Sequence, residues 1–353
     1  MTRPTANLAP HAFGAPAARA RLRVYPADFE VDEQLPVEPC GDGEHLWLHA
    51  CKTGVNTAWL ADALARHYGV PRRDVGYAGR KDRHARTLQW FSVRLPGKAE
   101  APPPPVLDDV EWLTAQRHRR KLATGALTGN RFRLVLRDVV DPDDTLAARL
   151  SRAAANGVPN WFGPQRFGRD AGNLDLAWDW LVDGRRPRSR NAQSIALSAA
   201  RAWAFNRVLA ARVADDSWHR LLPGERAMLA GSHSHFAVPD AADPALAERL
   251  AGGDVSPTGP LPGRGGTDAE ADCERLETHA LAALAPLVDG LVRARVDAAR
   301  RALVLRPEGL EWQRDGDVLT LAFTLPAGCF ATALLHALVE YDDPADRVAG
   351  TWC

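Results

Sequence analysis

The hydrophobic pattern changes period twice along this chain, and those changes constrain the fold more than any single motif. Residues 22–25 and 29–35 read as short strands separated by a turn at Pro26. Residues 45–49 alternate apolar and polar, which predicts a third strand with His45 and His49 on one face. Asn56 or Thr57 caps a helix that runs to about Tyr68, with Gly69 at its C-terminal end. Residues 75–77 and 87–95 read as strands on either side of a polar loop, 78–86, and residues 96–105 as an exposed proline-rich connector. Phe132, Leu134 and Leu136 alternate with Arg131, Arg133, Val135 and Arg137, the pattern of a half-polar strand.

Then the period lengthens. Asp141-Pro142-Asp143-Asp144 offers the cap, proline and acids of a helix start, and Asn156-Gly157 closes that helix. Residues 198–213 form an amphipathic pattern, 254–266 are rich in Gly and Pro, and 268–289 read as an acidic helical segment. After Pro307 the strand pattern returns over 318–325, behind an Asp315-Gly316 turn, and a short helix follows over about 331–341. Strand-rich ends around a helix-rich middle predict an α+β chain in which one domain is inserted into another.

The 353 residues suffice for two domains, and 46% apolar with 25% charged residues excludes a disordered chain, a coiled coil or a collagen-like fibre. No run approaches the roughly 18 apolar residues of a membrane span, and residues 1–20 lack the apolar core of a secretory leader. Five widely spaced cysteines (Cys40, Cys51, Cys273, Cys329 and Cys353) form no C-x-x-C pair, which predicts reduced thiols in a cytoplasmic protein. His45 and His49 have no carboxylate or cysteine at ligand spacing, so no metal site is expected.

Formal net charge is zero, from 44 basic and 44 acidic residues, but its distribution is uneven. Residues 72–137 hold fifteen Lys or Arg against six Asp or Glu, a local balance of +9, while residues 240–289 hold ten acids against three arginines. The basic block contains Arg117-His118-Arg119-Arg120-Lys121, and Tyr77, Trp90, Phe91, Asn130 and Phe132 are interleaved through it. Cations neutralise phosphates and aromatic faces stack bases, so the block predicts an RNA groove on the positive face of a dipolar molecule.

Three common enzyme signatures are missing: G-x-x-x-x-G-K-[ST], G-x-G-x-x-G after a strand, and H-E-x-x-H. What stands between the strands is Gly76-Tyr77-Ala78-Gly79-Arg80-Lys81-Asp82-Arg83-His84-Ala85. Asp82 lies between cations, which favour a carboxylate over a carboxylic acid and so suit a nucleophile. By itself the pattern equally describes a surface carboxylate paired with Lys81 or Arg83.

The run from Tyr77 to Thr87, with Gln89-Trp90 beyond it, resembles the signature of the TruD family of tRNA pseudouridine synthases. Further matches follow in family order: Pro26-x-Asp28-Phe29-x-Val31, Lys52-x-Gly54-x-Asn56-Thr57, Arg119-Arg120-Lys121-Leu122, and Gly125-Ala126-Leu127-x-Gly129-Asn130-x-Phe132. After these come Gly157-Val158-Pro159-Asn160-x-Phe162-Gly163-x-Gln165-Arg166-Phe167-Gly168, Leu197-Ser198-Ala199-Ala200-Arg201, and Leu325-Pro326-Ala327-Gly328-x-Phe330-Ala331-Thr332. The resemblance implies a pseudouridine-synthase catalytic domain with a mixed, mainly antiparallel sheet, residues 1–156 and 306–353, interrupted by a TRUD insertion domain, residues 157–305. It implies isomerisation of the uridine at position 13 in the D arm of tRNA, with no cofactor. Asp82 stands at the family's nucleophile, and Phe29, Asn130 and Phe330 stand at positions lining the uridine pocket. Arg23, Lys81 and Arg83 would act electrostatically near the aspartate or on phosphate, and Arg119, Arg120 and Lys121 on the RNA. Attack at C6 of the base or at C1′ of the sugar is left open.

Two departures stand out. Cys329 occupies a position that is usually serine, and His336-Ala337 stands where the family often has Arg-Glu. Two other classes compete with the enzyme reading. A non-catalytic RNA-binding protein would tolerate replacement of Asp82, and a hydrolase pairing Asp82 with His84 would need a second carboxylate or a metal. The expected partners are tRNA but neither a membrane nor a metal, and the chain is expected to be a monomer.

Overall fold

The structure of the chain, a computed structural model, describes residues 10–97 and 100–344. Expectations placed on residues 1–9 and on Cys353 lie outside the described residues. Contacts gather the described residues into two compact units. A sheet unit holds 17–144, 307–328 and 339–344, and a helical unit holds 145–306, 10–16 and 329–338.

The sheet unit opens with β1 (Arg19–Arg21), β2 (Phe29–Gln34) and β3 (His45–Thr53), then α1 (Thr57–Tyr68), β4 (Val75–Tyr77), β5 (Arg86–Arg94), β6 (Val110–His118) and β7 (Gly129–Val140). The strand expected over 22–25 is displaced to Arg19–Arg21, because Arg23 adopts a left-handed backbone (φ 55°) that an extended strand cannot continue through. Asp28 fixes the entry to β2: its buried carboxylate accepts the Tyr25 N–H at 2.9 Å and takes Arg137 in a bidentate pair. Helix α1 has the caps its sequence predicts. Asn56 Oδ1 accepts from the N–H groups of Ala58 and Trp59, and Gly69 ends the helix at φ 64°. Strand β6 was not expected from the sequence, since it is exposed or half-buried beyond Val110 and shows no continuous buried stripe.

In the helical unit come α2 (Leu146–Asn156), β8 (Val158–Pro159), α3 (Gly172–Leu181), α4 (Arg190–Ala214), β9 (Arg226–Leu229), β10 (His235–Ala237), α5 (Pro244–Ala251), β11 (Val255–Leu261), α6 (Ala271–Leu281), α7 (Ala285–Arg293), β12 (Ala299–Ala302) and β13 (Val304–Leu305), with α8 (Ala331–Leu338). Asp141-Pro142-Asp143-Asp144 is a turn rather than the start of α2, because Asp144 takes φ 50° and the helix begins two residues later. The Gly/Pro-rich stretch contains a buried strand, β11, flanked by β9 and β12. The unit's interior also holds charge. Arg212 pairs with Glu225 at 2.8 Å and Arg300 pairs with Glu277, all four side chains being almost fully buried.

Strands β14 (Glu308–Asp315), β15 (Val318–Pro326) and β16 (Glu340–Asp342) complete the sheet unit. The helix expected over 331–341 stops at Leu338. The sheet runs β14-β15-β7-β2-β5-β3-β6, with β4 beside β5 and β1 between β7 and β16. Only the β2–β5 and β1–β16 pairs are parallel, so the sheet is mixed and mainly antiparallel as expected. Register places Lys52 opposite Thr87, Thr87 opposite Val31, Val31 opposite Phe132 and Phe132 opposite Phe323. Directly opposed residues share a face. One face therefore carries Lys52, Thr87, Gln89, Phe29, Glu33, Asn130 and Phe132, and α1 packs on part of it through Leu60, Leu64 and Phe91. Among the described residues no helix is long and apolar enough to cross a membrane.

Candidate active site

Asp82 sits in the loop joining β4 to β5, and that loop is held by its backbone. The buried alanines Ala78 and Ala85 anchor its two ends. Gln89 Nε2 donates to the carbonyl of Gly79 at 2.7 Å, and the Lys81 N–H donates to Thr57 Oγ1 at 3.1 Å. Thr57 in turn donates to Gln89 Oε1 at 3.0 Å, which closes a circuit from the first residue of α1 to β5 and back to the loop. Arg83 Nε donates to the carbonyl of Gly54 at 2.9 Å.

The Asp82 side chain is 38% exposed and held from two directions. Its Oδ2 lies 3.1 Å from Arg23 Nη1, and its Oδ1 accepts the His84 N–H at 3.0 Å. Arg23 is shared: its Nη1 is 3.2 Å from Asp343 Oδ2, and its guanidinium lies 4.2 Å over the Phe29 ring. The left-handed turn at Arg23 that ended the first predicted strand is thus the feature that delivers this side chain. Phe29 meets the edge of Phe132, with centroids 6.2 Å apart. Asn130 opens β7 between Glu33 and Leu325, and its Oδ1 is buried without a hydrogen-bond partner.

Beneath the loop lies a charge pair missed at the sequence level. Glu33 is buried, with Oε1 2.6 Å from Lys81 Nζ and Oε2 accepting the Trp90 N–H at 3.0 Å. Lys52 is buried beside it and donates to the carbonyl of Val55 at 2.8 Å. Burial pushes its ammonium down to about 8, an effect to which the charge of Lys81 adds and which Glu33 and Asp82 oppose. A signal was available. Glu33 and Lys52 fall on the buried stripes of β2 and β3, where the neighbouring positions are Phe29, Val31, Leu48 and Ala50. Glu33 has both oxygens committed, so it does not supply the free second carboxylate a hydrolase would need.

The expected residues do not all gather here. Arg23, Phe29, Lys81, Asp82, Arg83 and Asn130 share the sheet unit around one loop. Phe330 belongs to the helical unit, where its ring lies 6.0 Å from that of Phe162 and 5.5 Å from the Arg166 guanidinium. Arg119, Arg120 and Lys121 follow β6 where His118 pairs with His45, whereas the Asp82 loop enters β5 where Arg86 pairs with Thr53. Eight residues of β3 separate those ends, about 26 Å of strand. Arg119 is bound at the surface by Asp42 at 2.9 Å, and Lys121 donates to the carbonyl of Arg73. Part of the expected positive face is also neutralised. Arg72, Lys81, Arg86, Arg94, Arg119 and Arg137 each pair with a carboxylate from residues 28–62.

Cys329 lies 4.0 Å from Arg301, and burial pushes its thiol up, so it is no thiolate nucleophile. His336, at the other departure, stacks on His11 at 4.1 Å. Among the described residues no cluster of His, Cys, Asp and Glu could hold a metal ion.

Comparison with known proteins yields one family and one fold. The family model described as tRNA pseudouridine synthase D (TruD) matches residues 6–186 and 186–338. A tRNA pseudouridine synthase D of Aeromonas salmonicida is 46% identical over 332 residues, covering 94% of this chain and 93% of its own. One of Nitrosococcus oceani is 47% identical over 329 residues, covering 92% of each. A crystal structure from Methanosarcina mazei, solved under the name TruD, superposes with a TM-score of 0.71 at 20% identity, covering 95% of this chain and 97% of that one; it bears on the fold alone.

Proposed function

The chain belongs to the tRNA pseudouridine synthase D (TruD) family, and from that premise we propose that it converts the uridine at position 13 in the D arm of tRNA to pseudouridine, with Asp82 as nucleophile and without a cofactor. The observation that carries the assignment is the Asp82 carboxylate, fixed between Arg23 and the His84 N–H on a loop pinned by Thr57 and Gln89. Such anchoring presents a reacting atom without further reorganisation.

The target uridine leaves its stack to reach the carboxylate. Asp82 adds to C6 of the base or to C1′ of the ribose, and the N1–C1′ bond breaks. The base turns, C5 bonds to C1′, the bond to Asp82 breaks and restores the carboxylate, the C5 proton is lost to solvent and N1 is protonated, so atoms balance with no net electron transfer. The unpartnered Oδ1 of Asn130 suits the N3–H of uracil. Phe29 supplies an apolar wall, Phe330 a ring on which a base can stack, and Arg23 and Lys81 oppose negative charge near Asp82. Arg83, Arg120 and Lys121 would meet phosphates, while Arg119 stays engaged by Asp42. Residues 157–305 would form the inserted TRUD domain of a cytoplasmic monomer; the observed helical unit extends further, taking in α2 and α8.

An unmodified tRNA transcript incubated with the purified chain should gain one carbodiimide-detectable pseudouridine, at position 13, and a transcript with cytidine there should gain none. A modification at another uridine, or none in any transcript, contradicts the assignment.

A further inference from the structure

Two arginines of the helical unit combine partial burial with an unsatisfied donor. Several guanidinium groups there meet a carboxylate: Arg185 meets Asp179, Arg212 Glu225, Arg249 Asp254, Arg264 Asp297 and Arg300 Glu277. Among the described residues, Arg166 and Arg201 pair with none. Arg166, in the turn Pro164–Arg166, donates from Nη1 to Ser198 Oγ at 3.0 Å, and its Nε is buried with no partner. Arg201 lies one turn beyond Ser198 on α4, so the two residues share a helix face. Its Nη2 donates to the carbonyls of Leu261 at 3.1 Å and Asp297 at 3.0 Å, and its Nε is likewise buried without a partner. The carboxylate of Asp297 is engaged by Arg264 at 2.5 Å.

The geometry points to a phosphate-binding subsite made by Arg166, Ser198 and Arg201, which takes one phosphodiester of the RNA. Half-buried guanidinium groups outside any ion pair carry a desolvation cost that is incompletely returned, which an anion offsets. Burial pushes both guanidinium groups below their ordinary value, opposed at Arg201 by the charge of Asp297 and at Arg166 by no named acid. A guanidinium fork beside a hydroxyl matches the oxygens of a phosphodiester. Arg166 also lies 5.5 Å from the centroid of the Phe330 ring, so the bound phosphate would belong to the nucleotide stacked there or to its neighbour. That last placement rests on the proposed role of Phe330.

The test is the salt dependence of binding, which reads phosphate contacts separately from chemistry. Fluorescence anisotropy of the full chain with an unmodified tRNA transcript, over a series of KCl concentrations, gives the slope of log Kd against log salt. Arg166→Gln and Arg201→Gln should each weaken affinity several-fold and lower that slope by about 1. Ser198→Asp, which cancels the Arg166 charge while leaving the arginine in place, should act like Arg166→Gln, and Arg166→Lys should keep the parent slope. An unchanged slope in Arg166→Gln, Arg201→Gln and Ser198→Asp overturns the subsite and makes the two arginines braces for Phe330 and for the ends of β11 and β12. Since the slope reads binding and not the rate of modification, it stands or falls independently of Asp82.

Discussion

At the scale of single residues, Lys52 is the clearest case of a side chain whose position opposes its chemistry. A buried lysine whose folded value falls to about 8 from an ordinary 10.5 binds fewer protons when folded than when unfolded between those pH values. Its cost, about 3 kcal/mol, is therefore complete at neutral pH and relieved as pH rises from 8 towards 10. Lys52→Met should be more stable than the parent at pH 7, with the difference shrinking above pH 8, as read from urea midpoints at each pH. A constant difference across that range would mean that Lys52 is not held in this way. Asp82, Phe29 and Asn130 were legible as motif positions. Glu33 and Asp343 were not, because their importance arises from Lys81 and Arg23 reaching across the fold to meet them.

At the scale of elements, the Asp82 loop is tied to α1. The helix was legible to its caps, since Asn56 and Gly69 are local signals. Less legible was that its first residue, Thr57, would serve as the acceptor for the Lys81 N–H. Thr57→Val keeps size and branching but removes the acceptor, leaving that N–H unsatisfied at about 1–3 kcal/mol. Turnover should fall about tenfold to a hundredfold with the Kd for tRNA within about twofold, since a displaced loop loses orientation before it loses affinity. A change in Kd alone would place Thr57 in RNA binding instead. The strands that escaped sequence reasoning have physical reasons. β6 is exposed over most of its length, its apolar burial confined to Val110 and part of Trp112, and β11 carries Pro257, Gly259 and Pro260, which disguise a buried strand.

At the scale of the whole molecule, charge taught the most. The basic block of 72–137 looked like a positive face because the sequence window excluded its partners. Over residues 17–144 the count is twenty basic to eighteen acidic, since β2, β3 and their connections bring carboxylates beside β5, β6 and β7. RNA affinity should follow the cations left unpaired. Asp42→Asn, which releases Arg119, should tighten tRNA binding and steepen its salt dependence, while Arg119→Gln should leave both nearly unchanged; the opposite order would mean that RNA displaces Asp42. The alternation of strand-rich and helix-rich segments gave the α+β architecture, and the ordered motifs gave the family, but neither revealed that Phe330 packs with Phe162 and Arg166. The central claim is that Asp82 forms the covalent link on which the isomerisation depends. Its most direct test is single-turnover release of tritium from tRNA labelled at uridine C5. Asp82→Asn should lose on the order of 10⁴-fold in rate with tRNA affinity largely retained, and release at the parent rate would contradict the claim.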